Sequence, residues 1–222
     1  MSKDLIYKNY WKRKELINSG IPNFTQLKWW NTESLCELEN KVLSQIKDKS
    51  AVLDVGAGNL RLMQKFQQAG YLGEYHTQDV GEEFKYTYET LQEINRKYPA
   101  ILCFDVIEHL QLSDGLELIH NLVDLLEPNG VMIIHTPNAR SIRDILYWDM
   151  THLHAYNIID LWAYLTCLDL QVDGYRVIFT SEDRNWMQSI SALASQYITS
   201  RILGVDFADG ILLIAKKQKF DK

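Results

Sequence analysis

The chain has 222 residues, 46% of them hydrophobic and 23% charged, which gives length and apolar content for one substantial core. Its net charge of −6 argues against an extended nucleic-acid surface, where lysine and arginine would have to neutralise phosphates. No apolar run reaches membrane-spanning length, no signal peptide opens the chain, and the three cysteines (Cys36, Cys103, Cys167) form no C-x-x-C pair. These features predict a cytoplasmic protein with reduced thiols, no nucleic-acid partner and no membrane partner.

Residues 1–30 interleave Tyr7, Tyr10, Trp11, Phe24, Trp29 and Trp30 with Lys8, Lys12, Arg13 and Lys14. Such interleaving can serve nucleic acid, but the acidic total favours an aromatic arm laid over the domain. A helix is predicted from about Thr32 to Lys47, with Leu35, Leu38, Val42 and Ile46 inward and Glu37, Glu39 and Lys41 facing water. Ala51–Val55 then reads as a buried strand ending in Gly56-Ala57-Gly58, and Leu60, Met63 and Phe66 recur at helical spacing after it. Glycine at 56 and 58 lets backbone approach a ligand where a Cβ would intrude. A dinucleotide-binding loop wants a third glycine at position 61, which is Arg61 here.

Tyr71–Asp79 is predicted as the next strand, with Asp79 and Val80 at its tip; a carboxylate there can accept from both hydroxyls of a ribose. A brief strand near Phe84–Tyr88 and a helix near Leu91–Lys97 follow, with Thr87 and Glu89 as candidates for an adenine edge. Ala100–Phe104 is a buried strand running into Asp105-Val-Ile-Glu108-His109-Leu110. A helix capped by Ser113 carries Leu116, Ile119, Leu122, Val123 and Leu126 inward and stops at Pro128 and Gly130. Val131–His135 is the fifth strand, closing on Thr136-Pro137-Asn138. Residues 139–156 have no period, so they cross the carboxyl edge of the sheet. Asn157 with Asp160 caps a helix through Leu168; Tyr175–Phe179 is the sixth strand and Ile211–Ala215 the last, antiparallel to it. The stretch 181–206 reads as a polar-faced helical insertion with Trp186, Ile190, Leu193, Tyr197 and Ile198 inward.

Asp54-x-Gly56-x-Gly58, the acid at the second strand tip, Glu108-His109-Leu110 and Leu126-x-Pro128-x-Gly130 before Thr136-Pro137-Asn138 occur in order. This set resembles the class I S-adenosylmethionine-dependent methyltransferases over about residues 48–138, with a matching tail. The third glycine of that family's loop is Leu60 here. The resemblance implies an α/β, Rossmann-like, seven-stranded and mostly parallel sheet with helices on both faces and an antiparallel last strand. It implies one methyltransferase domain over 1–222, in which 1–47 is an arm or lid and 139–156 and 181–206 cap the substrate. S-adenosylmethionine is the implied cofactor, with Asp54, Gly56, Ala57, Gly58, Asp79, Val80 and Asp105 around it.

The expected partner is a small-molecule acceptor, of sugar or phenol type, methylated on oxygen; a homodimer is compatible with this. Methyl transfer needs alignment and a deprotonated nucleophile. Two constellations could provide the second. Asp105, Glu108, His109 and His154 (or His152) are similar to the acidic-x-x-Glu-His cluster of small-RNA 2′-O-methyltransferases, which holds a divalent ion, so Mg²⁺ or Mn²⁺ is an expected cofactor of this arrangement. Without metal, Glu108, His109, His152 and His154 are the catalytic candidates, a histidine acting as base. His76, His120 and His135 read as structural. The competing activities are a nicotinamide-dependent oxidoreductase, disfavoured by Arg61 and the tail hairpin, and a non-catalytic binding module that has lost its cofactor.

Overall fold

Four near-continuous apolar stretches, around Val52, Ile101, Ile133 and Leu213, lie side by side in the middle of one sheet. Strands with no polar alternation are those covered on both faces. The structure, a computed structural model, describes residues 2–30, 32–141, 149–180 and 206–218, with Ser191, Ala194 and Ile198 besides. Residues 142–148 of the predicted cap segment 139–156, and the inward set Trp186, Ile190, Leu193 and Tyr197, fall outside the described residues; Ile198 is exposed rather than inward.

Two short helices, α1 (Ser2–Tyr7) and α2 (Tyr10–Ser19), precede strand β1 (Thr25–Trp29) and helix α3 (Glu37–Ile46). Then follow β2 (Ala51–Val55), α4 (Arg61–Gln68), β3 (Glu74–Gln78), β4 (Tyr98–Phe104), α5 (Leu112–Leu125), β5 (Leu126–Pro137), α6 (Ile158–Thr166), β6 (Leu170–Phe179) and β7 (Gly210–Lys217). The sheet order is β1-β6-β7-β5-β4-β2-β3, with β7 antiparallel to both neighbours and all other pairs parallel. This is the Rossmann-like, mostly parallel seven-stranded sheet expected, with apolar clusters on both faces. All three cysteines are buried thiols. No helix among the described residues is long and apolar enough to cross a membrane.

The count of seven is reached by different strands than expected. Residues 84–88 form no strand; only Tyr88 bridges to Gln78. The amides of Thr77 and Thr87 each meet the other's hydroxyl at 3.1 Å, and the Thr77 carbonyl takes the N–H of both Thr87 and Tyr88, so no regular ladder forms. In its stead β1, drawn from the aromatic arm, pairs with β6 at the opposite edge. The predicted Leu91–Lys97 helix shrinks to a single turn at Leu91–Glu93. Tyr98, preceding Pro99, is pushed to extended backbone and begins β4. Helix α5 starts at Leu112, so Ser113 is inside it and not its cap. Asn157 does cap α6, its side chain accepting from Asp160 N at 2.9 Å.

Glu39 does not face water. The α3 start is fixed by the Glu39 carboxylate accepting the Cys36 N–H at 2.9 Å, which turns that side chain inward onto Lys65 of α4. The arm lies over the same side of the sheet as α5 and α6: α1 contacts α5, and α2 contacts α6.

Candidate functional site

Parallel strands β2, β3, β4 and β5 all end at one crest, so the loops leaving them share a single rim. The glycine loop hangs from the end of β3, because Gly56 N and Ala57 N both donate to the Gln78 carbonyl, at 2.8 and 3.1 Å. Gly56 has φ +73°, and a Cβ there would stand 2.1 Å from a Val106 methyl carbon. A side chain at that position would be strained in its backbone and obstructed by Val106. Gly58 has φ +48°, and a Cβ there would meet nothing within 4 Å. Open space of this kind over exposed backbone is room for a ligand. Leu60 stands at φ +61°, the left-handed backbone that glycine adopts without cost.

Asp79 spans this loop. One carboxylate oxygen accepts from Gly58 N and the other from Gly81 N, each at 2.8 Å, while the Tyr86 hydroxyl donates to the Gly58 carbonyl at 2.8 Å. Val80 beside it is 84% exposed. Asp54 is buried under the loop and accepts from the Tyr75 hydroxyl at 2.9 Å. Burial pushes its carboxyl up to about 7, the Tyr75 bond pulling down and the Asp79 charge adding to the rise.

At the end of β4, Asp105 has φ +54° and accepts or shares a proton with His135 Nδ1 at 2.8 Å. His135 is buried between Phe104 and Phe179, ring centroids 5.6 and 6.4 Å away. Burial works against its imidazolium, but Asp105 and then Glu108 outweigh this and its pKa is raised. Glu108 is buried on the next turn. Thr136 Oγ1 donates to one carboxylate oxygen at 2.9 Å; the other has no hydrogen-bond partner among the described residues. Burial raises the Glu108 carboxyl to about 7, with Asp105 contributing to the rise.

The loop after β5 returns to this point. Leu153 N and His154 N donate to the Glu108 carbonyl at 2.7 and 3.1 Å. His109 Nδ1 lies 2.8 Å from Thr151 Oγ1, which donates to Asp149 at 2.7 Å, and the His152 ring stands edge-on to His109 at 4.8 Å. Donor atoms of Glu108, His109 and His152 all lie within 4.8 Å of one another. Asp105 and His154, the other members of the expected ligand set, are elsewhere: Asp105 is taken by His135, and His154 packs edge-on to Tyr156 at 4.7 Å. A carboxylate claimed by an imidazole, and a ring turned into an aromatic contact, are not offered to the Glu108 cluster.

Thr136, Thr151 and His135 were not candidates from the sequence. For His135 and Thr136 the signal was register: His135 pairs with Phe104, so the residues after each must adjoin; Thr151 arrives on the loop after β5, which no strand register fixes.

A family model described as a methyltransferase domain matches residues 28–172. A ubiquinone biosynthesis O-methyltransferase of Rickettsia canadensis is 27% identical over 139 residues, covering 50% of this chain and 58% of that protein's length. Its counterpart in Rickettsia felis is 22% identical over 204 residues, covering 72% of this chain and 83% of the relative. Among solved structures, a SAM-dependent methyltransferase from Archaeoglobus fulgidus aligns with a TM-score of 0.60 at 18% identity, over 80% of this chain and 90% of the other. The plantazolicin methyltransferase BpumL in complex with SAH aligns with a TM-score of 0.53 at 15% identity, over 82% and 81%.

Proposed function

This chain belongs to the methyltransferase domain family, as a class I S-adenosylmethionine-dependent methyltransferase, and from that premise we propose that it methylates a hydroxyl of a small hydroxylated molecule of sugar or phenol type. The residues at the crest fit the cofactor: open space over Gly58, a carboxylate at Asp79 and exposed Val80 flank one strip of backbone. Asp54, Gly56, Ala57, Gly58, Asp79, Val80 and Asp105 would hold it. When bound, it supplies an electrophilic methyl carbon on a sulfonium leaving group.

The observation that carries the proposal is the free, buried oxygen of Glu108. Thr136 fixes the other oxygen, so the free one has a set direction. A carboxyl titrating near 7 can take a hydroxyl proton at neutral pH and, since its free oxygen is sealed from solvent, would pass the proton on through neighbouring His109. Glu108 would hold the acceptor's hydroxyl proton and so leave an oxygen nucleophile for the methyl group that the cofactor, once bound, would supply. His109, oriented by Thr151 and Asp149, stands beside it to receive that proton or to hold the acceptor. The names of the Rickettsia relatives, both O-methyltransferases, support oxygen as the atom methylated.

The test is transfer of labelled methyl from S-adenosylmethionine to a panel of phenols, catechols and sugars. Glu108→Gln should lower turnover by about 10²–10⁴-fold with S-adenosylhomocysteine affinity intact. Label appearing only on amines, or undiminished turnover in Glu108→Gln, would overturn it.

The 4.8 Å grouping of Glu108, His109 and His152 supports a second version. One carboxylate with two imidazoles suits a divalent transition metal such as Mn²⁺ better than Mg²⁺, which prefers oxygen ligands; such an ion would acidify an acceptor hydroxyl. In that version turnover is lost in EDTA and returns with the ion; under the base mechanism chelator has no effect.

A further inference from the structure

Between the N-terminal arm and the face formed by α5 and α6 lies a cavity of about 250 Å³, whose wall includes Arg13, Lys14, His154, Tyr156, Asp160 and Tyr164. Two polar atoms of residues in this wall are buried without a hydrogen-bond partner among the described residues, Arg13 Nε and the Tyr164 hydroxyl; the Tyr156 hydroxyl, also unpartnered, lies against Gly115 of α5 instead. Both tyrosines are more than nine-tenths buried, at 6% and 2% exposure. Buried polar groups are ordinarily satisfied, so two orphans on one cavity wall call for an explanation. An arginine nitrogen can only donate, and the Tyr164 hydroxyl has a proton to give. What is missing is therefore an acceptor.

Charge says which kind. Arg13 and Lys14 bring two positive charges to the wall against the single carboxylate of Asp160, which is held by Asn157 Nδ2 at 2.7 Å, so the wall is net positive. The guanidinium is braced rather than neutralised: Tyr10 and Tyr164 rings lie 5.9 and 5.8 Å from its carbon, and its Nη2 donates to the Ile6 carbonyl at 3.4 Å. Leu112, Leu116 and Leu161 supply apolar wall for a hydrocarbon body. The cavity also adjoins the proposed site, since His154 lines it and gives its N–H to the Glu108 carbonyl.

We infer that this cavity receives the anionic end of the methyl acceptor, a carboxylate or phosphoryl group on a compact hydroxylated ring. The inference rests on the methyltransferase reading and narrows it: the acceptor is an anion, and the arm is part of its binding site. Arg13 and the Tyr164 hydroxyl are the specificity-determining donors. A neutral sugar would leave the guanidinium unpaired.

Calorimetry on the full chain tests this, first with S-adenosylhomocysteine and then, with it saturating, using benzoate, phenyl phosphate and benzyl alcohol. One of the two anions should bind at least about tenfold more tightly than the alcohol, as charge-assisted bonds predict. Which anion it is separates carboxylate from phosphoryl recognition. Arg13→Gln should abolish that preference and leave S-adenosylhomocysteine affinity unchanged, while Arg13→Lys, charged but lacking Nε, should recover only part. Tyr164→Phe supplies an independent check: a hydroxyl that only packs leaves anion binding untouched, whereas a ligand-binding one weakens it. Equal affinity for benzoate, phenyl phosphate and benzyl alcohol, or an Arg13→Gln protein that still prefers an anion, overturns the inference. Cofactor binding without anion preference sinks the subsite alone; anion preference without cofactor binding sinks the methyltransferase reading.

Discussion

Lys65 Nζ lies 2.9 and 2.7 Å from the two carboxylate oxygens of Glu39, with the side chains only 6% and 2% exposed. The pair joins α3 to α4, the helix that leaves the glycine loop, and Arg61 adds a third charge 3.4 Å from Glu39. A buried pair is weak evidence of net stabilisation, but breaking one half of it is costly. Lys65→Met should therefore destabilise the protein by about 3–5 kcal/mol in denaturant unfolding. Adding Glu39→Gln, which keeps an acceptor for the Cys36 N–H, should restore much of that loss. A Lys65→Met protein as stable as the native one would show the pair to be energetically idle.

Asp79 already takes two backbone N–H groups, and each of its oxygens keeps a lone pair for a ribose hydroxyl. Asp79→Ala is expected to weaken S-adenosylhomocysteine binding by about 1.5–3 kcal/mol, measured by calorimetry. The same change frees Gly58 N, so part of the loss reports a loosened loop. Asp79→Asn, which retains one acceptor for Gly58, should lose less.

The two loop glycines should fail differently. Gly56→Ala drives a methyl into Val106 and should lower the melting temperature; shortening the neighbour with Val106→Ala should recover part of it. Gly58→Val meets no protein atom and should fold with a cost of about 1–2 kcal/mol from its left-handed backbone. Its cofactor affinity should nonetheless vanish. Normal S-adenosylhomocysteine binding by Gly58→Val would move the ligand away from this loop.

Acidity should stabilise the ligand-free protein. Asp54 rises from 3.8 to about 7 on burial, so between those values the folded state holds a proton that the unfolded chain has released. Its contribution is fully present below about pH 4 and is lost as pH climbs through 7. Glu108, raised to about 7, and His135, also raised, act with the same sign. Melting temperatures should thus fall from pH 5.5 to 8, and Asp54→Asn should flatten the slope without removing it. A curve rising over that range would contradict the assigned burial of these groups.

The crest was legible from sequence because its signals are local: two glycines, an acid before them, and acids or amides just after apolar runs. Leu60 shows how far such reading goes. The family pattern asks for glycine there, and the chain adopts glycine's backbone at φ +61° with leucine in place. Strand β1 was missed because of its five residues only Leu27 is buried, so it offers no alternating stripe. Glu39 was placed outward because one helix's periodicity says nothing about a lysine arriving from another. His135 looked like a structural residue because β5 is buried on both faces, and its partner, Asp105, becomes adjacent only through parallel register.

Strand β1 has a consequence for how this protein can be shortened. It covers the outer backbone edge of β6, and everything before it, including Arg13, is moored to the sheet through five residues of parallel ladder. Deleting residues 1–30 to obtain a minimal catalytic unit would take that strand away with the arm. The row of amides and carbonyls on β6 would then lie open, a template on which a second molecule could add its own strand. Such a truncation should be found in the pellet or the void volume of a sizing column, whereas breaking the chain after residue 20 leaves the edge strand in place.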